Sequence, residues 1–293
     1  MRVFVAVAEA RGFAAGARRV GRSAPVVTRA VASLERRLGT RLLQRTTRIV
    51  RLTEAGARYL ADCRRILADI DAAEESLRAP DGKPRGTLNV TASRIFGRMF
   101  VTPLVLDFLE LHREVTVRTV LDDQVIDLIE AGVDVAVRIG PLPDSSFTAT
   151  RVGSVRRVLC ASPGYLARHG TPRKAADLEA LDALVFAGAS ARSEWTLGTG
   201  RAARTVRPRS MLSTNDADVI IAAALAGQGV ARLLSYQIGD AVAAGRLVRL
   251  LPAFEPAPIP VSVVCPAGRA SSPKVRAFFD FAVARLRATT WLS

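Results

Sequence analysis

The sequence predicts a multidomain chain: a small basic head that is all-α apart from one hairpin, a long linker helix, and a two-lobed α/β domain. Three observations carry this expectation. Of the net charge of +15 over 293 residues, positions 1–58 hold +10, from 13 Arg against 3 Glu. Helical periodicity in the N-terminal segment is punctuated at Gly12, Gly21 and Gly39. Beyond position 86, strand-like and helix-like runs alternate, the pattern of a sheet covered by helices. The length also exceeds one ordinary core and suits a small domain plus one of roughly 200 residues.

Val3, Phe4, Val7 and Ala8 recur at helical spacing, which predicts an amphipathic helix over 2–10. Starting at residue 2 leaves no room for an N-cap, so either the true start lies upstream or the first turn frays. A second short helix is expected over 13–20, and Ser23 is placed to cap a third over 24–38. On that helix Val27, Val31, Leu34 and Leu38 form an apolar stripe, leaving Pro25, Val26, Thr28 and Arg29 on the N-terminal, outward face. Positions 42–52 read as two short strands with a basic tip. Thr53 then caps a helix reaching about position 78, roughly 38 Å at the standard rise. Its seam of Leu60, Cys63, Leu67, Ile70 and Leu77, interrupted at Glu74, suits self-pairing. Two Pro and two Gly over 79–86 mark a hinge.

Strands over 87–92, 116–121 and 133–139 alternate with helices over 100–111 and 125–131, which predicts a parallel sheet with right-handed crossovers. A second, smaller unit has a strand at 211–213, a helix over about 216–226 closed by Gly227, and a strand over 230–234. The strand at 261–265 and a helix over 275–287 are expected to return to the first unit. The expected domains are a head over 1–58, a linker helix over 59–78, a hinge over 79–86 and the α/β domain over 87–293. Within the latter, lobe 1 spans about 87–160 and 266–293, and lobe 2 about 161–265.

An Arg-rich composition also follows from a GC-rich genome, so the distribution of charge says more than its total. Its concentration in the head points to a polyanionic partner. Met1 leads directly into an amphipathic pattern rather than a secretory signal, and no window offers about 20 uninterrupted apolar residues. A soluble, cytoplasmic protein without membrane contact is expected. Cys63, Cys160 and Cys265, with His112 and His169 isolated, suit neither a disulfide scaffold nor a metal site. Cys160 and Cys265 each precede a Pro-containing turn near the expected crossovers and are expected to be neighbours. In a reducing cytosol buried thiols are the expected state. Catalysis is not expected: Gly198-Thr199-Gly200 lacks the third glycine and preceding strand of a dinucleotide loop, and neither His sits in a nucleophile signature.

Several segments carry a resemblance: Ala14-Ala15-Gly16-Ala17-Arg18-Arg19-Val20-Gly21, Ser23 to Val31, Leu34-Glu35-Arg36-Arg37-Leu38-Gly39, Leu42 to Arg48 and Leu52-Thr53-Glu54-Ala55-Gly56. Downstream, Phe108-Leu109, the run from Val125 to Gly140, and Ala222 to Gly229 add to it. In this order they resemble the LysR-type transcriptional regulators along essentially the whole chain. The resemblance implies a winged helix-turn-helix head, a linker helix that dimerises, and a two-lobed, periplasmic-binding-protein-like effector domain. It implies double-stranded DNA as partner, at an imperfect palindromic operator, with a second copy paired through the linker, a tetramer through the effector domains, and contact with RNA polymerase. No cofactor or metal is implied, only a small-molecule effector.

By the same resemblance the DNA-contacting set is Ser23, Ala24, Pro25, Val26, Thr28, Arg29, Arg45, Thr46, Thr47 and Arg48, with Arg48 at the wing tip. Ala24 and Val26 depart from the family, where the first position is commonly polar, so readout there would rest on thymine methyls and DNA shape. The competing view is that these arginines are solvated surface groups. For the effector, the strand-to-helix junction Ala92-Ser93-Arg94 offers free N–H groups and a hydroxyl to an anion. Thr214 and Asn215 form the equivalent junction in the second unit, and Asp122, Arg138, Ile139 and Thr148 resemble other pocket positions. A small carboxylate is the expected ligand. Alternatively, Ser93 and Thr214 are helix caps and Arg138 pairs with Asp134 or another acid.

The same two-lobed cleft would suit a transporter's solute-binding protein, but a basic helical head does not. An architectural DNA-binding protein would leave the long α/β portion without a role.

Overall fold

In a computed structural model, residues 1–45, 50–78, 82–124, 127–129, 131–142, 147–186, 194–200 and 203–289 are described. The head consists of α1 (Arg2–Glu9), α2 (Phe13–Arg19), α3 (Ala24–Leu38), and a hairpin of β1 (Leu43–Arg45) and β2 (Val50–Leu52), with α4 (Glu54–Arg78) following. Gly16 lets α2 approach α1 closely: a Cβ there would lie 2.7 Å from Val7 Cα. Gly39, in the left-handed region, closes α3. Thr53 Oγ1 accepts the Gly56 N–H (2.9 Å) and so caps α4. At Gly56 itself a Cβ would lie 1.9 Å from Leu42 O, so only glycine lets this first turn sit on the wing.

Three expectations for the head are corrected. Ser23 stands at the N-cap position of α3 but its side chain makes no capping bond. The stripe on α3 ends at Leu34, since Leu38 is 40% exposed past the last turn that faces the core. The linker seam divides in two. Leu60 and Cys63 are buried in the head core with Phe4, Val7, Val31 and Leu42, and of the later positions Ile70 is 40% exposed and Leu67 half-buried. The head is too thin to close its own core, so the start of α4 supplies the missing apolar face.

The α/β portion holds two five-stranded sheets. In the first, β3 (Gly86–Ala92) lies between β4 (Val115–Leu121), at the edge, and β5 (Val135–Ile139), and is parallel to both. Strand β6 (Phe147–Val155) lies at the far edge of this sheet. The second has β7 (Arg157–Ala161) and β8 (Asp182–Phe186), with the small hairpin β9 (Trp195–Leu197) and β10 (Arg204–Val206) packed alongside. Its other strands are β11 (Arg209–Thr214), β12 (Val230–Leu234) and β13 (Val248–Leu250), in the order β11-β8-β12-β7-β13. Strand β14 (Ile259–Pro266) returns to the first sheet, antiparallel to β5 and β6. That sheet is therefore mixed, not all-parallel, because the returning strand enters from the opposite end.

The helices are α5 (Arg94–Phe96), running through π-helical Gly97–Val101 into α6 (Thr102–Leu111), then α7 (Pro163–His169), α8 (Ala217–Leu225), α9 (Ser235–Ala243) and α10 (Pro273–Arg287). The helix expected over 100–111 thus starts six residues earlier, at Arg94. That expected over 125–131 falls partly outside the described residues. Residues 128–129 and 131–132 are turns, with Asp127 Oδ1 accepting the Ile129 N–H at 2.8 Å.

The lobe boundaries shift too. Arg156 alone separates β6 from β7, so lobe 2 begins near 157, and β14 belongs wholly to lobe 1. The prolines at 163 and 266 start a helix and end a strand, respectively, rather than marking crossovers. Arg156 is held on both sides, its N–H by Ser235 Oγ (3.1 Å) and its carbonyl by the Ser235 N–H (2.8 Å). One apolar cluster runs through both lobes, from Phe108 and Phe278 to Leu233 and Ile238. Among the described residues no helix is long and apolar enough to cross a membrane.

Candidate nucleic-acid interface and inter-lobe cleft

On α3, Val27, Val31 and Leu34 are fixed in the head core, which turns the opposite side of the first turns outward. Ser23, Pro25 and Arg29 are exposed, Thr28 is half-buried, and Val26 is 44% exposed. Ala24 packs partly onto the head core, leaving Val26 as the main apolar surface at this helix end. Glu35 ties the helix to the wing: its Oε1 accepts the N–H groups of Leu42 (2.8 Å) and Leu43 (3.0 Å). Sequence reasoning missed this role; the spacing of seven and eight residues carries no local signal. Arg45 closes β1 opposite Val50. Its side chain, like Thr46, Thr47 and Arg48, lies outside the described residues.

Between the lobes lies a cleft of about 500 Å³. From lobe 1 it takes Ser93, Asp123, Ile139, Pro141 and Ile259, and from lobe 2 Arg157, Phe186, Trp195, Arg232 and Tyr236, among others. Of the sequence-predicted effector residues, Ser93 and Ile139 line it. Ala92 is buried at the end of β3. Asp122 accepts the Gln124 N–H (3.1 Å), and its neighbour Asp123 reaches the cleft instead. Arg138 stands on the opposite face of β5 from Val137, half-buried, and burial pushes its guanidinium below the usual range. It does not pair with Asp134, whose carboxylate is bonded to Arg269 and to the Asn89 N–H (2.7 Å). Thr148 is exposed on β6 beside Cys265, and Asn215 is exposed.

The two junctions hold carboxylates of the chain itself. Asp123 Oδ1 accepts the Arg94 N–H (3.0 Å) at the start of α5. Asp216 caps α8 through the Asp218 N–H (2.9 Å), with Thr214 Oγ1 accepting the Asp216 N–H (3.1 Å). Arg94 reaches across to Asp216 (2.9 Å) and Arg98 to Asp218 (2.8 Å), so the lobes are bridged beside the cleft. Ser93 Oγ is buried without a properly formed hydrogen bond; the Tyr236 hydroxyl is the polar group approaching it, and burial pushes that phenol up to about 12. Tyr236 itself stands edge-on to Phe96 and Phe100, at 5.3 and 5.8 Å between ring centroids.

The cleft's cations come from lobe 2, which the sequence reading did not single out. Arg157 and Arg232 lie diagonally on one face of the antiparallel pair β7 and β12, where Arg232 opposes Leu159 and Arg157 opposes Leu234. The Arg232 guanidinium is 5.8 Å from the centre of the Trp195 ring. Desolvation and the neighbouring Arg157 lower its pKa to about 10, so it remains charged at neutral pH. Among the described residues neither arginine has an acidic partner. Only the charge of Arg232 within the apolar run Val230–Leu234 could have flagged it.

Residues 1–57 match the family described as "Bacterial regulatory helix-turn-helix protein, lysR family", and residues 81–287 the "LysR substrate binding domain". The chain belongs to the LysR family. Its relatives include an HTH-type transcriptional regulator of Xanthomonas campestris pv. campestris, 35% identical over 288 residues, 97% of this chain and 84% of that one. The regulator DmlR of Escherichia coli is 34% identical over 282 residues, 96% and 92% of the two chains. Among solved structures, CrgA, a LysR-type transcriptional regulator from Neisseria meningitidis, is 31% identical with a TM-score of 0.63 over 97% of each chain. This LysR protein is a DNA-binding transcriptional regulator with a substrate-binding domain, and not an enzyme.

Cys160 and Cys265 are free, and they lie in different sheets: Cys160 pairs with Ala231 and Arg249 in lobe 2, Cys265 with Thr148 in lobe 1. Burial pushes Cys160 up to about 12 and raises Cys265 as well.

Proposed function

We propose that this regulator binds an imperfect palindromic operator in the cytoplasm as linker-paired dimers, joined into a tetramer through the effector domains, and that a small carboxylate in the inter-lobe cleft controls its output. The single observation supporting an anionic ligand is the pair Arg157 and Arg232, both at the cleft and with no acid opposite them among the described residues. The reading differs from the sequence expectation in where the charge is met: strands of lobe 2, since the helix junctions already hold Asp123 and Asp216.

On the DNA side, the exposed N-terminal face of α3 enters the major groove, Arg29 contacts phosphate or a base edge, and Val26 reads thymine methyls. Ligand closure of the cleft changes the relative orientation of the dimers, and thereby DNA bending and access for RNA polymerase.

The test is binding of purified protein to the intergenic DNA beside its own gene, with and without candidate acids. Arg29→Ala is expected to weaken binding by about 1–3 kcal/mol and relax sequence preference. Ser93→Ala is expected to reduce the change in DNA affinity that ligand produces. Binding by Arg29→Ala equal to the parent would refute the recognition face.

A further inference from the structure

We infer that the cleft ligand is a flat, apolar-bodied monocarboxylate, held with its acid group on Arg157 and Arg232 and its ring against Trp195 and Phe186. The inference rests on the reading of the cleft as the effector site and goes beyond it in the class of ligand and its orientation.

The cleft is electrically polarised. Both arginines belong to β7 and β12 of lobe 2, while Asp123 lines the lobe 1 side. Two guanidinium groups on one strand pair match one carboxylate, whose oxygens can accept from both. A second carboxylate at the other end of the ligand would face Asp123, a like charge in a site partly screened from water. Dianions are therefore disfavoured. Between the two poles the walls are apolar: Ile139, Pro141 and Ile259 from lobe 1, Leu184 and Phe186 from lobe 2.

The aromatic groups set the shape. Trp195 is 3% exposed and lines the cleft with Arg232 beside its ring, while Phe186 keeps 37% of its surface open. A flat ring entering between the lobes covers Phe186 and meets Trp195 by offset or edge contact, and its attached carboxylate then reaches Arg232. A flexible chain of equal size buries similar area but loses rotational freedom in doing so.

The experiment uses the full-length protein and five probes: benzoate, phenylacetate, hexanoate, succinate and the neutral benzamide. Binding is followed by calorimetry and by tryptophan emission, Trp195 being one of two tryptophans in the chain. Benzoate or phenylacetate is expected to bind at least tenfold more tightly than hexanoate, succinate or benzamide. Arg232→Gln is expected to weaken the aromatic acids at least tenfold and to leave benzamide where it was. Arg157, which is exposed, provides a second variant, Arg157→Gln, with the same expectation should Arg232→Gln fail to fold. Tighter binding of succinate or hexanoate, or aromatic-acid affinity unchanged in both variants, overturns the inference. DNA affinity measured alongside separates this failure from that of the underlying reading. If succinate or hexanoate shifts DNA affinity while the aromatic acids do not, the ligand class is wrong and the cleft remains the effector site. If no probe binds or alters DNA affinity, both readings fall.

Discussion

Asp134 shows what a single buried carboxylate does here. It joins three pieces of lobe 1, accepting from Arg269 and from the backbone N–H and side chain of Asn89 on β3. Both charged partners are nearly covered, with side chains 7% and 13% exposed. Asp134→Ala leaves a buried guanidinium and an unpaired N–H, and is expected to cost roughly 3–5 kcal/mol in urea unfolding; a loss below about 1 kcal/mol would mean that water enters to replace the carboxylate. The thiols give a second expectation. With Cys160 near 12, its thiolate is about one part in ten thousand at pH 8, so the native protein should resist thiol reagents until unfolded. Rapid labelling of Cys160 in the folded state would contradict that burial. At this scale only part of the site is legible in the sequence. Ser93 is legible because a strand end followed by a helix start has a local signature, whereas Ile139, which also lines the cleft, is singled out only by the family resemblance. Arg232, Arg157 and Glu35 are not legible, because each acts through a partner set by long-range strand pairing or loop return.

Among the elements, α4 serves two purposes along its length. Its first turns finish the head core and its later turns offer Ile70 outward. The heptad-like spacing in the sequence is the same for both, so periodicity located the apolar face without saying what would cover it. Substitutions separate the two uses. Leu60→Ala is expected to destabilise the head by about 2–5 kcal/mol. Ile70→Glu, under the proposed pairing, is expected to weaken self-association at least tenfold with no change in the helical signal of the isolated chain. If sedimentation shows Ile70→Glu associating like the parent, the seam lies elsewhere. The sheet of lobe 1 shows the complementary limit. Its three parallel strands followed from the alternation of strand and helix, but β14 arrives from lobe 2 and enters antiparallel, an orientation that no local pattern encodes.

For the molecule as a whole, the apolar cluster shared by the two lobes makes them one cooperative unit. The effector portion is expected to unfold in a single calorimetric transition, with the calorimetric and van't Hoff enthalpies in agreement. Arg156 adds a mechanical consequence. The first crossover has no slack, being one residue clamped above and below by Ser235. The second, after β13, is fastened by Arg249 to Glu255 and by the Gly198 N–H to Phe254 O. Two fixed pivots make an axle, and a body on an axle can only turn. Ligands of different size should set different angles along one common arc. Two pairs of spin labels spanning the lobes in different directions should then change their separations in a fixed ratio whichever ligand is bound.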